Sequence, residues 1–521
     1  MASPSTSILA ITVVPYGSAA RGTPRSIKRS IKRNISPTAF QPSPKRSLLL
    51  VSPSRRPPRA GQQHAIGEYR PPRQHFPDQQ AQAVDEDGSS WHSNHVLVPF
   101  DMRDPTVALD SGEPMQMLLS IFPQTLGLME SVPRLWLNFL VEQLPSRPWP
   151  LTVGGLPITI RTHSQGRGPL FPRMRNGNMR ISICAELDAG SDDYFSDSDF
   201  QRLAGVVARH FRAHNPDIEL CEIIVTMQHM IFVVLDGHDL NVNHVTRRLP
   251  GKIARCHVGY LHHDELHRPK HQPDCKAKHV IDPIASSGVS DTTAYSTLRP
   301  GVMVWSDQVL THAHPLTYAT TSGVLVRGNA NHTAFMTGAS HGIGDSGTVY
   351  QRLPNGTKRI FGEAVQEVSY TDIALVALQS GVEFTNVTFE DENGNVPTFT
   401  RLLGERPQDL DTMPKWPKAV YLNSPFSGIM EGCLVAKGIK IEGQPADPRF
   451  VMYNWTYMGQ AEGAGSNQRE PPDGVCGSAI WDDEGVVVGF FRSYVAEGPL
   501  AGFCASVSAA ELIKAGYVLA K

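Results

Sequence analysis

The chain has 521 residues, 40% of them hydrophobic and 19% charged, which excludes a wholly disordered protein. Its 48 Lys and Arg nearly balance 50 Asp and Glu, but residues 1–67 hold eleven bases and no acid. The remainder carries 37 bases against 50 acids, a net of −13, which argues against a general nucleic-acid binder.

No apolar run approaches the roughly 20 residues that span a bilayer. Seven scattered cysteines, an odd number, do not form a disulfide framework and fit a reducing compartment. Four Asn-x-Thr sequons at Asn331, Asn355, Asn386 and Asn454 point the other way, though such tripeptides arise easily by chance. The expected location is intracellular, with the cytoplasm first.

Residues 1–85 are rich in Pro, Ser, Arg and Gln and lack apolar periodicity, which predicts a disordered basic tail. The acid-free, Arg-rich composition of residues 1–67 can also serve as a mitochondrial address, and KRSIKR as a nuclear one.

Residues 90–255 read as an α+β accessory domain. The stretch from Met115 to Leu144 has helical spacing with a break at Pro133. Residues 180–187 (RISICAEL) read as a strand. Residues 199–214 place Leu203, Val206, Val207 and Phe211 on one helical face, and two strands follow in IELCEIIVTM and MIFVVLDG. Helix followed by hairpin predicts a small helix-on-sheet unit. It contains no phosphate loop and no dinucleotide fingerprint.

Residues 256–290 form a His-rich linker. Cys256, His257, His262, His263, His267, His271, Cys275 and His279 fall within 24 residues. Zinc takes four N/S ligands, but there is no CxxC knuckle, and Pro269 and Pro273 prevent one continuous helix from aligning the histidines. A solvated linker is the expected state, and a zinc-dependent interaction protein a lesser reading.

From residue 291 the pattern changes. Short apolar runs separated by Gly, Asn and Pro recur at roughly 10 to 15 residues, with turns at PNGTK (354–358) and DDEG (482–485). SAAELIKAGY offers a capping box from Ser508 to Glu511 and predicts a terminal helix. About 240 residues of this kind predict one or two antiparallel barrels.

Three segments of this region carry chemistry. FMTGASHGIG places His341 in a small-residue turn after a strand. SYTDIALVALQ places Asp372 at the head of an apolar strand. DGVCGSAIWDDEG places Cys476 in a Gly-flanked turn before a hairpin. The order His, Asp, nucleophile, at spacings of 31 and 104 residues, resembles a chymotrypsin-like (trypsin-like) peptidase over roughly residues 295–521. The chain departs from that family's usual serine: GVCGS is similar to the nucleophile turn of picornavirus-like cysteine proteases.

The resemblance implies a multidomain protein with a C-terminal all-β double barrel, a closing helix and no cofactor. It also implies roles. Cys476 attacks the scissile carbonyl, His341 moves the proton, Asp372 orients the imidazole, and the Gly474 and Cys476 amides face the oxyanion. Phe491, Arg492, Ser493 and Tyr494 match the strand that binds substrate backbone, with Arg492 favouring an acidic or polar side chain. No His lies within 489–494, so the Gln specificity of picornavirus-like enzymes does not carry over.

Each residue has a plain alternative. Cys476 can be a small buried hydrophobe, His341 a hydrogen-bonded turn residue and Asp372 a strand-start cap. Gly344-Asp345-Ser346-Gly347 matches a serine-protease nucleophile turn more literally, but Ser346 lies five residues after His341 and would leave TDIALVAL and GVCGSAI unexplained. The expected function is peptide-bond hydrolysis on a peptide or protein substrate, with neither nucleic acid nor membrane as partner. The alternative is an inactive peptidase-fold module that binds a protein or peptide.

Overall fold

The computed structural model describes most of residues 95–521. Residues 1–94 lie outside the described part, as do shorter stretches such as 163–195, 237–248, 267–289, 309–315, 412–417, 459–470 and 496–499. The readings of the basic tail, of a strand at 180–187 and of the later half of the His-rich segment fall outside it. The protein is mostly β-sheet with few helices. Among the described residues no helix is long and apolar enough to cross a membrane.

The sequence from 112 to 141 departs from its helical expectation. Helix Gly112–Ser120 ends after nine residues, and strands Thr125–Val132 and Trp136–Val141 follow as an antiparallel pair. Trp136–Val141 is buried on both faces and pairs in parallel with Leu156–Thr162 on its other side. A short apolar run buried on both faces looks the same whether helical or extended, so its spacing could not settle the matter. Helix Asp197–His214 forms where expected: the Ser196 hydroxyl accepts from Asp199 N at 3.1 Å, and Leu203, Val207 and Phe211 are buried. Strands Glu219–Thr226 and Met230–Asp236 follow.

Residues 303–378 and the last strand build an eight-stranded sheet. Its order is Leu316–Thr321, Met303–Gln308, Thr348–Arg352, Lys358–Val368, Ile373–Leu378, Ala334–Ala339, Leu325–Gly328 and Tyr517–Leu519. A larger sheet contains Ala419–Ser424, Ala479–Trp481, Val486–Tyr494, Cys504–Ser508, Arg449–Met458 and Gly428–Glu442 in that order. Because Ala419–Ser424 pairs with both Ala479–Trp481 and Gly428–Glu442, these six strands return on themselves as a ring.

Gly428–Glu442 is long enough to serve three neighbours. Its first residues pair with Ala419–Ser424, most of its length pairs with Arg449–Met458, and Ala436–Lys440 pairs with Glu222–Thr226. The strands from residues 219–262 therefore continue the same sheet, and the described residues lie in one unit. Buried residues from both parts, among them Phe211, Ile223, Val233, Ile439 and Trp455, share one core.

The terminal helix is shorter than its capping signal suggests. Ser508 ends a strand, the helix runs only Ala510–Lys514, and its N-cap is Ala509 with no side-chain bond. Glu511 turns inward instead and accepts from Met452 N at 2.8 Å. The chain then closes on a strand, Tyr517–Leu519, in the other sheet. The buried position of Glu511 overrides local capping.

Lys437 forms an ion pair with Asp197, and both side chains are almost fully buried. Lys437→Met leaves a carboxylate buried without its cation, and chemical denaturation should register a loss of about 3 kcal/mol. The double variant with Asp197→Asn should recover much of it. Equal losses in the two variants would mean that the pair does not couple these elements.

Candidate active site

His341 reaches its place through sheet register. Ala334–Ala339 pairs with Ile373–Leu378, with Ala339 opposite Ile373, and then tightens into a 3-10 turn over Ser340–Gly342. Ser340 N donates to Asp372 O at 2.8 Å. The next amide, His341 N, donates to Asp372 Oδ1 at 2.9 Å. The His341 ring completes the contact, with Nδ1 2.5 Å from Asp372 Oδ2. Two contacts to one carboxylate fix both the ring's position and the nitrogen that faces it, leaving Nε2 as the free end.

Asp372 itself sits in a tight turn. Tyr370 and Asp372 have φ of +62° and +64°, a conformation that costs a non-glycine residue about 1 kcal/mol or more. Neighbouring bonds hold it. Thr371 N donates to Val368 O at 3.0 Å, and Glu367 accepts from Ser340 Oγ at 2.6 Å and from Asp372 N at 3.3 Å. Glu367 thus ties the His-bearing turn to the Asp-bearing turn.

Cys476 comes from the ring of six strands, in the turn before Ala479–Trp481. The Leu316–Thr321 strand of the other sheet holds that turn in place. Thr321 N and Thr320 Oγ1 donate to Cys476 O at 3.2 and 2.5 Å, and Thr321 Oγ1 donates to Gly474 O at 2.7 Å. Gly474 and Gly477 have φ of +91° and +88°. A Cβ on Gly474 would lie 2.4 Å from the Phe426 ring, and one on Gly477 would lie 2.6 Å from Thr321 O. The glycines flanking Cys476 are therefore required by close packing as well as by conformation. Among the described residues the amides of Gly474 and Cys476 take no hydrogen-bond partner.

The Cys476 thiol stands close enough to the His341 ring to act on its charge, and its sulfur donates to Arg492 O at 3.1 Å. Burial works against a charged imidazole, yet the Asp372 carboxylate and Cys476 outweigh it and hold the His341 pKa well above its usual range. Burial likewise raises the Asp372 pKa, but His341 and Arg492 together bring it below the usual carboxylate range.

The signs follow by linkage. The raised His341 stabilises fully below about pH 6.5 and loses that contribution as pH rises through its folded value. The depressed Asp372 stabilises fully above about pH 4 and loses it as pH falls through its folded value. The pair supports the fold most between these limits.

The four residues assigned to substrate separate. Phe491 is buried in the core. A register shift pairs Phe491 with Ser506 and Ser493 with Ala505, leaving Arg492 as the extra residue of a bulge. A bulge re-aims its side chain, and the Arg492 guanidinium turns inward: its Nε lies 3.6 Å from Asp372 Oδ2, the side chain is only 15% exposed, and Nη1 donates to the Tyr453 hydroxyl. Ser493 and Tyr494 stay partly exposed, paired through their backbone with Cys504–Ala505.

Ser346 is exposed and accepts from Thr348 N at 3.2 Å as a turn residue. Among the described residues no group of three His, Cys, Asp or Glu is placed to hold a metal ion. Sequence reading missed Glu367, Tyr453 and the Thr320–Thr321 bonds. The signal in FFRSY for an inward Arg depends on a bulge that only strand pairing creates.

No family model matches the chain, and no curated protein matches it. Among solved structures it is similar to chymotrypsin-like serine proteases. One is a glutamic acid specific serine protease that uses a histidine triad in substrate binding (12% identity, 43% of this chain and 100% of that one, TM-score 0.29). A second is Nocardiopsis protease (14% identity, 43% and 100%, TM-score 0.29). A third is Thermobifida fusca protease A (14% identity, 43% and 99%, TM-score 0.28).

Proposed function

We propose that this chain is a hydrolase of peptide bonds, with Cys476 as nucleophile, His341 as proton carrier and Asp372 as orienting carboxylate, on a chymotrypsin-like pair of barrels. The observation that carries the reading is the site itself. A thiol from one sheet meets an imidazole from the other, and that imidazole is clamped by a carboxylate at 2.5 Å.

In this reaction the Cys476 thiol gives its proton to His341 as its sulfur adds to the scissile carbonyl, and the amides of Gly474 and Cys476 take the developing oxyanion. His341, protonated and held by Asp372, gives its proton to the leaving amine. Water then releases the acyl group from sulfur, with the same imidazole accepting its proton. The peptide lies along the Ser493–Tyr494 backbone as an added strand.

Alkylation of the native full-length chain by iodoacetamide, followed by peptide mass spectrometry across pH, tests the site directly. Cys476 is expected to react first near neutral pH, and His341→Ala should abolish that reactivity. Cys433 and Cys504 provide internal contrast, because both are fully buried and burial pushes their thiols up. A Cys476 that reacts no faster than they do, or that ignores His341→Ala, would leave an inactive binding module as the better reading.

A further inference from the structure

The Arg492 guanidinium occupies a position that the proposed chemistry does not use. Its Nε lies 3.6 Å from Asp372 Oδ2, the same oxygen that faces His341 Nδ1. Nη1 donates to the Tyr453 hydroxyl, and the guanidinium stands 5.4 Å from the centre of the Tyr453 ring. The backbone of the same residue takes the Cys476 sulfur at 3.1 Å. One bulged residue therefore touches two of the three site residues, the carboxylate with its side chain and the thiol with its carbonyl.

We propose that Arg492 is a positioning residue: its buried guanidinium anchors Asp372 against the ring of six strands and shares the carboxylate's charge with His341. The proposal rests on the reading of Cys476, His341 and Asp372 as a nucleophilic site and concerns how that site is tuned. A carboxylate facing only an imidazolium would hold the proton tightly. One that also faces a fixed cation holds it less tightly, and the imidazolium then releases its proton more readily to a leaving amine.

The charged and titratable groups around the carboxylate are few. His341 approaches from the 3-10 turn, Cys476 from the nucleophile turn and Glu367 from the end of Lys358–Val368. Tyr453 and Glu442, from Arg449–Met458 and Gly428–Glu442, also act on Arg492, as does Glu367. Arg492 is the one cation among them other than His341 itself. Its fixed fork lets it bond Tyr453 while facing Asp372, and the charge it presents to the carboxylate is one that a lysine retains.

The test is the titration of His341 in the full chain labelled with 15N-histidine, its signal assigned by loss in His341→Gln. Arg492→Gln removes the charge and keeps a polar side chain. It is expected to move the His341 midpoint up by about one pH unit, while Arg492→Lys stays with the wild type. Arg492→Met carries the same test if the glutamine variant does not fold.

An unmoved midpoint in a folded neutral variant overturns the proposal, as does an equal shift in Arg492→Lys. If neither neutral variant folds while Arg492→Lys does, the charge at residue 492 serves the fold alone and the proposal falls. Alkylation of Cys476 separates the two readings. An inert Cys476 with a shifted His341 sinks the nucleophile and leaves the charge sharing intact. A reactive Cys476 with an unmoved His341 sinks only the role of Arg492.

Discussion

Cys476→Ala is expected to abolish peptide hydrolysis, by at least about four orders of magnitude in kcat/KM, because loss of a nucleophile removes the covalent route and leaves only binding and oxyanion contacts. The assay is cleavage of an unbiased peptide mixture read by mass spectrometry, with wild-type and variant chains side by side. The variant should keep its stability. Cys476 is held through its backbone carbonyl by Thr320 and Thr321, and those bonds do not involve the sulfur. Cys476→Ser should not restore the rate, because a hydroxyl in a site shaped around a thiol is far harder to ionise. Hydrolysis that survives Cys476→Ala would remove this residue from the chemistry. Absence of hydrolysis in the wild type, together with an inert thiol, would remove the peptidase.

The second large effect is expected at Gly477. Its φ of +88° costs an alanine about 1–2 kcal/mol. The new Cβ would also lie 2.6 Å from Thr321 O and 2.8 Å from Ala339 N. Both atoms are backbone, so neither can swing aside, and overpacking of this kind adds roughly 1–3 kcal/mol. Gly477→Ala should therefore lose about 2–5 kcal/mol in chemical denaturation. Gly516→Ala is the control: its φ is +85° with nothing within 4 Å of the added atom, so only the conformational part remains. Similar losses in the two variants would mean that the Cys476 turn can shift away from the sheet that carries His341.

The location of Gly477 explains the size of this effect. Thr321 and Ala339 end the two strands that bracket the site, one bonding the Cys476 turn and one leading into His341. A side chain there would press the Cys476 turn off the sheet that carries His341. Stability and site geometry should fall together in Gly477→Ala, whereas Cys476→Ala should separate them.

Two of the four sequons are closed to modification in this fold. Asn454 is 1% exposed, and the Asn386 amide donates to Leu325 O and Ala520 O. What looked in the sequence like an argument for secretion is, at these two positions, a pair of packed asparagines.

Local chemistry wrote much of this protein into its sequence. The hairpins at PNGTK and DDEG needed only their turn residues, and both form, with Gly356 and Gly485 at positive φ. Helix Asp197–His214 needed only a cap and one apolar face. His341, Asp372 and Cys476 could be singled out because small residues and glycines around them are themselves local signals.

Tertiary structure decided the rest. Trp136–Val141 is strand because it pairs with Leu156–Thr162 as well as with Thr125–Val132, and no window around it contains the first of those partners. Glu511 abandons its cap because Met452 N lies opposite. Arg492 turns inward because pairing with Cys504–Ser508 slips by one residue at that point. In each case the deciding partner lies at least 12 residues away in the chain, and burial against it outweighs a local preference worth about 1 kcal/mol.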